Sequence, residues 1–397
     1  MSEIAPARPS ARVPSLDGLR GVAALIVVFH HLSLLLAPIA ATYSDLQAEE
    51  ARSAIWSAYW WFTSTPAQLL LAGPEAVLVF FVLSGLVVAM PVLQRPGFSW
   101  VSYYPQRMAR LYIPAAVSVL LAWLLVSVAG IFHAEPSGTA ASGWSVREPT
   151  WQTVVGAFDL LFGNAKINDP LWTLRWEVIF SILLPLFVIA ALLGKRHWLV
   201  LSIVAAIAAV VGAYNYALPS FVYLPVFFMG TIIAVKFKDI RAWVSDPARA
   251  RVVWWGGLAV LIVSVLVSTL HASAVGLFPG KFRIQGAAFA IQFIGCVGFV
   301  LVAAFWQPAV RMLSTSFFRW LGRISFGLYL VHVPVIVAVD TISGPGRQFQ
   351  TIGIGLVASL ALAEIFTRFV EVPSHKFSKR IGSASASAMS GWFVPAK

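Results

Sequence analysis

Ten stretches of this 397-residue chain are apolar for close to the roughly 20 residues that a bilayer core of about 30 Å requires of a helix. They run from Val22 to Pro38, Ala76 to Leu93, Ile113 to Ile131, Trp176 to Leu193, Trp198 to Tyr214, Phe221 to Val235, Val252 to Leu270, Gln285 to Phe305, Leu321 to Val339 and Thr351 to Val370. The pattern predicts an all-α, polytopic membrane protein with about ten transmembrane helices and one membrane domain over residues 16–376. The apolar run from Thr153 to Phe162 is too short to span and reads as a re-entrant or interfacial segment. Residues 1–15, rich in Pro, Ala and Ser, read as a disordered tail, and residues 377–397, with their SASASAMSG run, as another. A secretory signal peptide is a poor alternative for the N-terminus, because its apolar core would carry Arg20 and two histidines.

Polar residues inside these stretches carry the chemistry. Within LDGLRGVAALIVVFHH, Arg20 and His31 are eleven residues apart. Eleven steps of about 100° bring both side chains to within about 20° of one helix face, separated by about 16 Å along the axis. His30 is turned about 80° away, so the spacing selects His31. An ionisable group near mid-bilayer costs at least about 2.5 kcal/mol, which marks His31 as used or satisfied by a neighbour.

Composition agrees with the pattern: 59% hydrophobic and 11% charged residues, with a mean hydropathy of +0.83. Placing the N-terminus in the cytoplasm puts 21 of the 28 basic residues on the cytoplasmic side, so both termini are expected there. Topology and anionic membrane lipids then account for most of the net charge of +12, and no nucleic-acid partner is needed. A single cysteine, Cys296, excludes a disulfide framework, and seven histidines without ligand spacing predict no metal site. Nucleophile-elbow, P-loop and dinucleotide-binding motifs are missing from the sequence.

Three further places stand out. The expected first cytoplasmic loop, YYPQRMARLYIP, sets Arg107 and Arg110 three apart, a spacing that suits phosphate binding and equally suits plain topology. With Arg20 on the same side, the three arginines would form a cationic pocket with His31 about 16 Å deeper. In NDPLWTLRWEVIFSILLPL, Glu177 falls at the outer start of a span, five residues after Trp172, as a functional carboxylate or a solvated helix-start charge. Trp56, Trp60, Trp61, Trp144 and Trp151 read as an interfacial belt, His332 as a structural interhelical group, and Glu371 as a local partner of Arg368.

These blocks, in this order, resemble the membrane acyltransferase-3 family, multi-spanning enzymes that O-acylate bacterial cell-surface glycans and some secondary metabolites. SLDGLRGVAALIVVFHH is similar to the opening signature, through Arg20 and His31. VFFVLSG is similar to the second-span motif, Arg107/Arg110 to an RxxR pair, and LWTLRWEVIF to a W-x-L-x-x-E block through Trp172 and Glu177. LGRISFGLYLVHVP and RFVEVP resemble the closing blocks. GPEAVLVFF departs from the family, with Glu75 and Ala76 where Gly followed by Val and Asp is usual.

The resemblance implies that residues 16–376 are an acyltransferase domain in the bacterial inner membrane. It implies transfer of an acyl group, usually acetyl from acetyl-CoA as cosubstrate, to a hydroxyl of a glycan or related acceptor, with no permanently bound cofactor. Arg20, Arg107 and Arg110 would take the CoA phosphates, and Arg20, His31 and Glu177 would be catalytic. Trp172 and Glu177 would meet the acceptor. His31 would act as general base or be transiently acylated, and both mechanisms stay open. The hydrolase-like domain fused to some relatives has no counterpart in these residues, so a separate extracytoplasmic partner is a further implication. Two other readings compete, a flippase for a phosphorylated lipid-linked sugar and a lipid-binding scaffold.

Overall fold

The computed structural model describes residues 13–40, 58–132, 144, 149–214, 219–278 and 282–392, and every regular element among them is helical. Ten helices are long and apolar enough to cross a membrane. The framework is α1 (Pro14–Ser33), α2 (Gly73–Gln94), α3 (Trp100–Phe132), α4 (Leu171–Leu193), α5 (Trp198–Tyr214) and α6 (Pro219–Val244). It continues with α7 (Ala250–Ser268), α8 (Phe282–Phe305), α9 (Ser316–Ser343) and α10 (Gln348–Phe366), which runs through a π-turn, Thr367–Glu371, into α11 (Val372–Trp392). A short helix, Trp151–Ala157, lies between α3 and α4, where the sequence has its sub-spanning apolar run.

Several helices extend past the hydropathy boundaries, most of them through charged residues. The expected loop around Arg107 and Arg110 is the first third of α3, and the expected loop start of the fourth span lies inside α4. Hydropathy stops at a charge because it treats every charge as unpaired; Arg107 and Glu177 pair with each other, and the backbone stays helical through both. Only the last three residues of the expected N-terminal tail are described, and Pro14 and Ser15 open α1. The expected C-terminal tail is helical to Trp392, because α11 packs along α3, with Gly382 against the Ser102 carbonyl. Between α2 and α3 the chain reverses at Gly97, whose φ of 73° is costly for any residue with a Cβ.

In lipid, helices gain little by hiding apolar surface from one another, so close backbone approach and side-chain packing hold them together. α1 lies between α9 and α2. At its crossing with α9, a Cβ on Gly21 would come within 2.5 Å of the Gly322 nitrogen, and one on Gly322 would strike the Asp17 carbonyl. At the α2–α6 crossing, Gly85 and Gly230 make the same allowance for the Phe227 and Val82 carbonyls. The stacked rings of Phe81, Phe227 and Phe180, with centroids 4.5 and 4.6 Å apart, bind α2, α6 and α4 into one apolar core. A second core gathers α1, α3, α9 and α10.

This packing predicts a graded response to added methyl groups. Gly322→Val is expected to destabilise the protein by about 1 to 3 kcal/mol, as overpacking does. Gly353→Ala, where a Cβ meets nothing within 4 Å, should be neutral or slightly stabilising. Thermal unfolding in detergent micelles checks both; equal melting temperatures for the two variants would refute the close crossing.

Candidate functional site

His31 occupies the last turn of α1, and its surroundings define its tautomer. Nδ1 lies 2.9 Å from the Val27 carbonyl oxygen. A carbonyl only accepts, so Nδ1 carries a hydrogen, and in the neutral ring Nε2 then presents a lone pair. His332, fully buried on α9, is fixed in the same way by the Leu328 carbonyl at 3.0 Å, leaving its Nε2 to accept. That atom is 3.3 Å from His31 Nδ1, so the His31 N–H is shared between a carbonyl and a second imidazole. On the other side, His31 Nε2 faces the Asp169 carboxylate at 4.0 Å, too far for a hydrogen bond and near enough to stabilise an imidazolium. The Trp144 ring stands edge-on to His31 at 5.1 Å.

Asp169 reaches His31 because its neighbour is anchored. Asn168 is fully buried and donates through Nδ2 to the Leu330 carbonyl at 3.0 Å and to Ser118 Oγ at 3.2 Å, which ties the start of α4 to α9 and α3. Burial pushes the Asp169 carboxyl up from the ordinary carboxylate range. His30 turns away, as helical phase predicts, and its Nδ1 donates to the Leu71 carbonyl at 2.9 Å. A Cβ on Gly73 would strike its ring.

The arginines do not form a single pocket. Arg107 meets Glu177, with Nη2 2.6 Å from Oε2, and its Nε donates to Ser181 Oγ at 3.0 Å. Ser84 Oγ donates to the other Glu177 oxygen at 2.5 Å. Arg110 and Arg20 instead share the field of Glu371, whose carboxylate also accepts from Thr367 Oγ1 at 3.3 Å. The π-turn Thr367–Glu371 brings that carboxylate round, and π-turns of this kind recur at functional sites.

The expectations for four residues are therefore corrected. Glu177 is not an outer-boundary residue remote from the RxxR pair: α4 begins at Leu171, so Glu177 sits well inside the bundle as the partner of Arg107. Glu371 is turned to Arg20 and Arg110, and Arg368 is exposed. His332 is not a bystander, and Trp144 packs on His31. Trp56 lies outside the described residues. Asp169 escaped sequence reading because a single acid in a short loop has no periodicity; its position beside an asparagine ahead of an apolar run was the available signal. Trp172, 36% exposed, lies one turn beyond Asp169, and its N–H bonds to the Asp169 carbonyl at 3.2 Å. Among the described residues no group of His, Cys, Asp and Glu side chains is arranged to hold a metal ion.

Comparison with known proteins places the chain in a family. The profile of an acyltransferase-domain family, acyltransferase-3, matches residues 13–368. The chain is 24% identical over 395 residues to the peptidoglycan O-acetyltransferase OatA of Listeria monocytogenes, covering 92% of this chain and 56% of that protein. It is 25% identical over 442 residues to the O-acetyltransferase PaAT-1 of Phomopsis amygdali, covering 92% of this chain and 83% of that one. It is 26% identical over 365 residues to the acyltransferase MdmB of Streptomyces mycarofaciens, covering 89% and 87%. The chain thus spans little more than half of the Listeria protein's length. No solved structure matches it.

The Arg107–Glu177 pair is the most buried ion pair here, with side chains 12% and 14% exposed. Removing one partner of such a pair typically costs about 3 to 5 kcal/mol, so Glu177→Gln and Arg107→Ala should each lower the melting temperature clearly. The double variant should fall short of the summed losses by about 0.5 to 3 kcal/mol. Strict additivity in a double-mutant cycle would show that the two side chains act independently.

Proposed function

The chain belongs to the acyltransferase-3 family, and we propose that it moves an acyl group, acetyl by preference, from acyl-CoA to an acceptor hydroxyl within a bacterial inner membrane. The observation that carries this reading is the His31 imidazole, with a donor nitrogen committed to Val27 and His332, an accepting nitrogen open, and an acid beside it.

In this reading His31 Nε2 removes the proton from the acceptor hydroxyl as the oxygen attacks the thioester carbonyl. A carbon–oxygen bond forms, the carbon–sulfur bond breaks, and the proton passes to the departing thiolate. His332, accepting from Nδ1–H, and the Asp169 carboxylate stabilise the imidazolium in between, which favours the base role over acylation of His31. Arg20 and Arg110 receive the phosphates of CoA in competition with Glu371, as guanidinium groups suit phosphate. Arg107 holds Glu177 and through it the packing of α3, α2 and α4, so both belong to the site as positioning residues. The acceptor is a glycan or another hydroxylated molecule reaching His31 past Asp169 and Trp172. By charge topology both termini are cytoplasmic and the arginines face the cytoplasm, so CoA stays inside while the modified material lies outside. A separate extracytoplasmic protein would then present the acceptor.

Purified protein given labelled acetyl-CoA and glycan acceptors tests this. His31→Ala should lower kcat by about 10²- to 10⁴-fold with little change in the Michaelis constant for acetyl-CoA. His332→Ala should lower kcat less, and Arg110→Ala should raise the acetyl-CoA Michaelis constant. A flippase using the arginines alone would retain its activity in both histidine variants, and full transfer by His31→Ala would overturn the reading.

A further inference from the structure

A cavity of about 280 Å³ opens one turn away from the His31 centre, where the short helix Trp151–Ala157, the loop after it and the first turns of α4 and α6 meet. That volume falls just below the range of small-molecule sites, which begins at about 300 Å³. Asp159, Asn164, Trp172, Arg175, Trp176 and Tyr223 supply its polar and aromatic wall. Neither His31 nor Asp169 lines it, but the Asp169 carbonyl and the Trp172 N–H are hydrogen-bonded, so one turn of chain serves both places.

The floor is built to hold its shape. Asp159 Oδ1 accepts from the Leu161 and Phe162 amides at 2.9 and 3.0 Å, and the Asn164 amide donates back to the Gly156 carbonyl at 3.3 Å. Any side chain at Gly163 would strike that carbonyl, which explains the glycine. The aromatic wall is equally constrained: Tyr223 packs on Trp172 and Trp176 with centroids 5.6 and 5.1 Å away, and Arg175 lies 5.8 Å from the Trp176 ring centre.

The charges decide the ligand class. Amide bonds from Phe162 and Leu161 hold the Asp159 carboxyl below the usual range, so it is ionised at neutral pH and lies within the electrostatic reach of Arg175. The lining holds one carboxylate and one guanidinium, so its charges cancel and it favours neither an anion nor a cation. Ring faces that attract the C–H edges of a saturated ring, together with a carboxylate, an amide and a guanidinium for hydroxyls, suit a neutral polyol.

We propose that this cavity binds a neutral sugar ring of the acceptor and so selects what His31 acylates, an inference that rests on the transferase reading above. Saturation-transfer NMR on the full chain in detergent micelles tests it, with the disaccharides of N-acetylglucosamine, of glucose, and of galactose with glucose as probes. At least one should bind saturably, and inorganic phosphate should not displace it. Asn164→Ala and Arg175→Gln should each weaken binding about tenfold, as loss of a hydrogen bond to a charged or polar partner does, with unchanged melting temperatures. Tyr223→Leu should do the same by removing the stacking surface. If no disaccharide binds, if phosphate displaces the bound sugar, or if binding persists in folded Asn164→Ala and Arg175→Gln, the sugar site is wrong whether or not the protein transfers acyl groups. Sugar binding in a wild-type protein that transfers no acyl group would leave the cavity standing and overturn the transferase.

Discussion

An ion inside hydrocarbon must find a counter-ion or a dense set of hydrogen bonds, and this requirement organises the interior of the bundle. Glu177 stands beside Arg107, Glu371 beside Arg20 and Arg110, and the two imidazoles of His31 and His332 divide one hydrogen between them. Each match joins helices that sequence keeps far apart: α3 to α4, the π-turn to α1 and α3, and α1 to α9. The polar groups are thus both the chemistry and part of the cross-bracing, and a site assembled in this way is positioned as rigidly as the bundle itself.

Glycine contacts make those matches geometrically possible. α1 and α9 approach closely only because Gly21 and Gly322 place hydrogen where other residues place carbon, and that approach brings His332 to His31. The blocks LDGLRG and LGRISFG are therefore the two halves of one crossing. The serine–glycine pair that closes VFFVLSG has a similar double duty, with Ser84 donating to Glu177 while Gly85 admits α6.

Much of this was legible in the chain. Ten apolar stretches gave ten helices, and a 100° rotation per residue was enough to prefer His31 to His30, which the structure turns toward the Leu71 carbonyl. What sequence hid was pairing. Hydropathy began the third span only at Ile113 and the fourth only at Trp176, because Arg107, Arg110 and Arg175 look like surface charges until their surroundings are known; with α4 started too late, Glu177 was placed at an outer boundary. His332 looked like an isolated polar group on an apolar helix, and Asp169 like an ordinary loop acid, since neither carries a periodic signal that points across the bundle. The helical continuation to Trp392 was hidden for a different reason: small residues such as those of SASASAMSG read as disorder in isolation, whereas α11 stays helical through them.

The eleven-residue interval between Arg20 and His31 also bears on how such a chain can drift. Between those two positions most side chains are replaceable by another apolar one of similar bulk, the exceptions being Gly21, which meets Gly322, and His30, which meets the Leu71 carbonyl. Length is another matter. One residue gained or lost there would leave the hydropathy profile untouched while rotating Arg20 and His31 about 100° relative to each other, taking one of them away from its partners on α9 or the π-turn. Apart from Gly21 and His30 the segment can therefore diverge in spelling but hardly at all in count, a ruler most of whose markings are erasable but whose length is held.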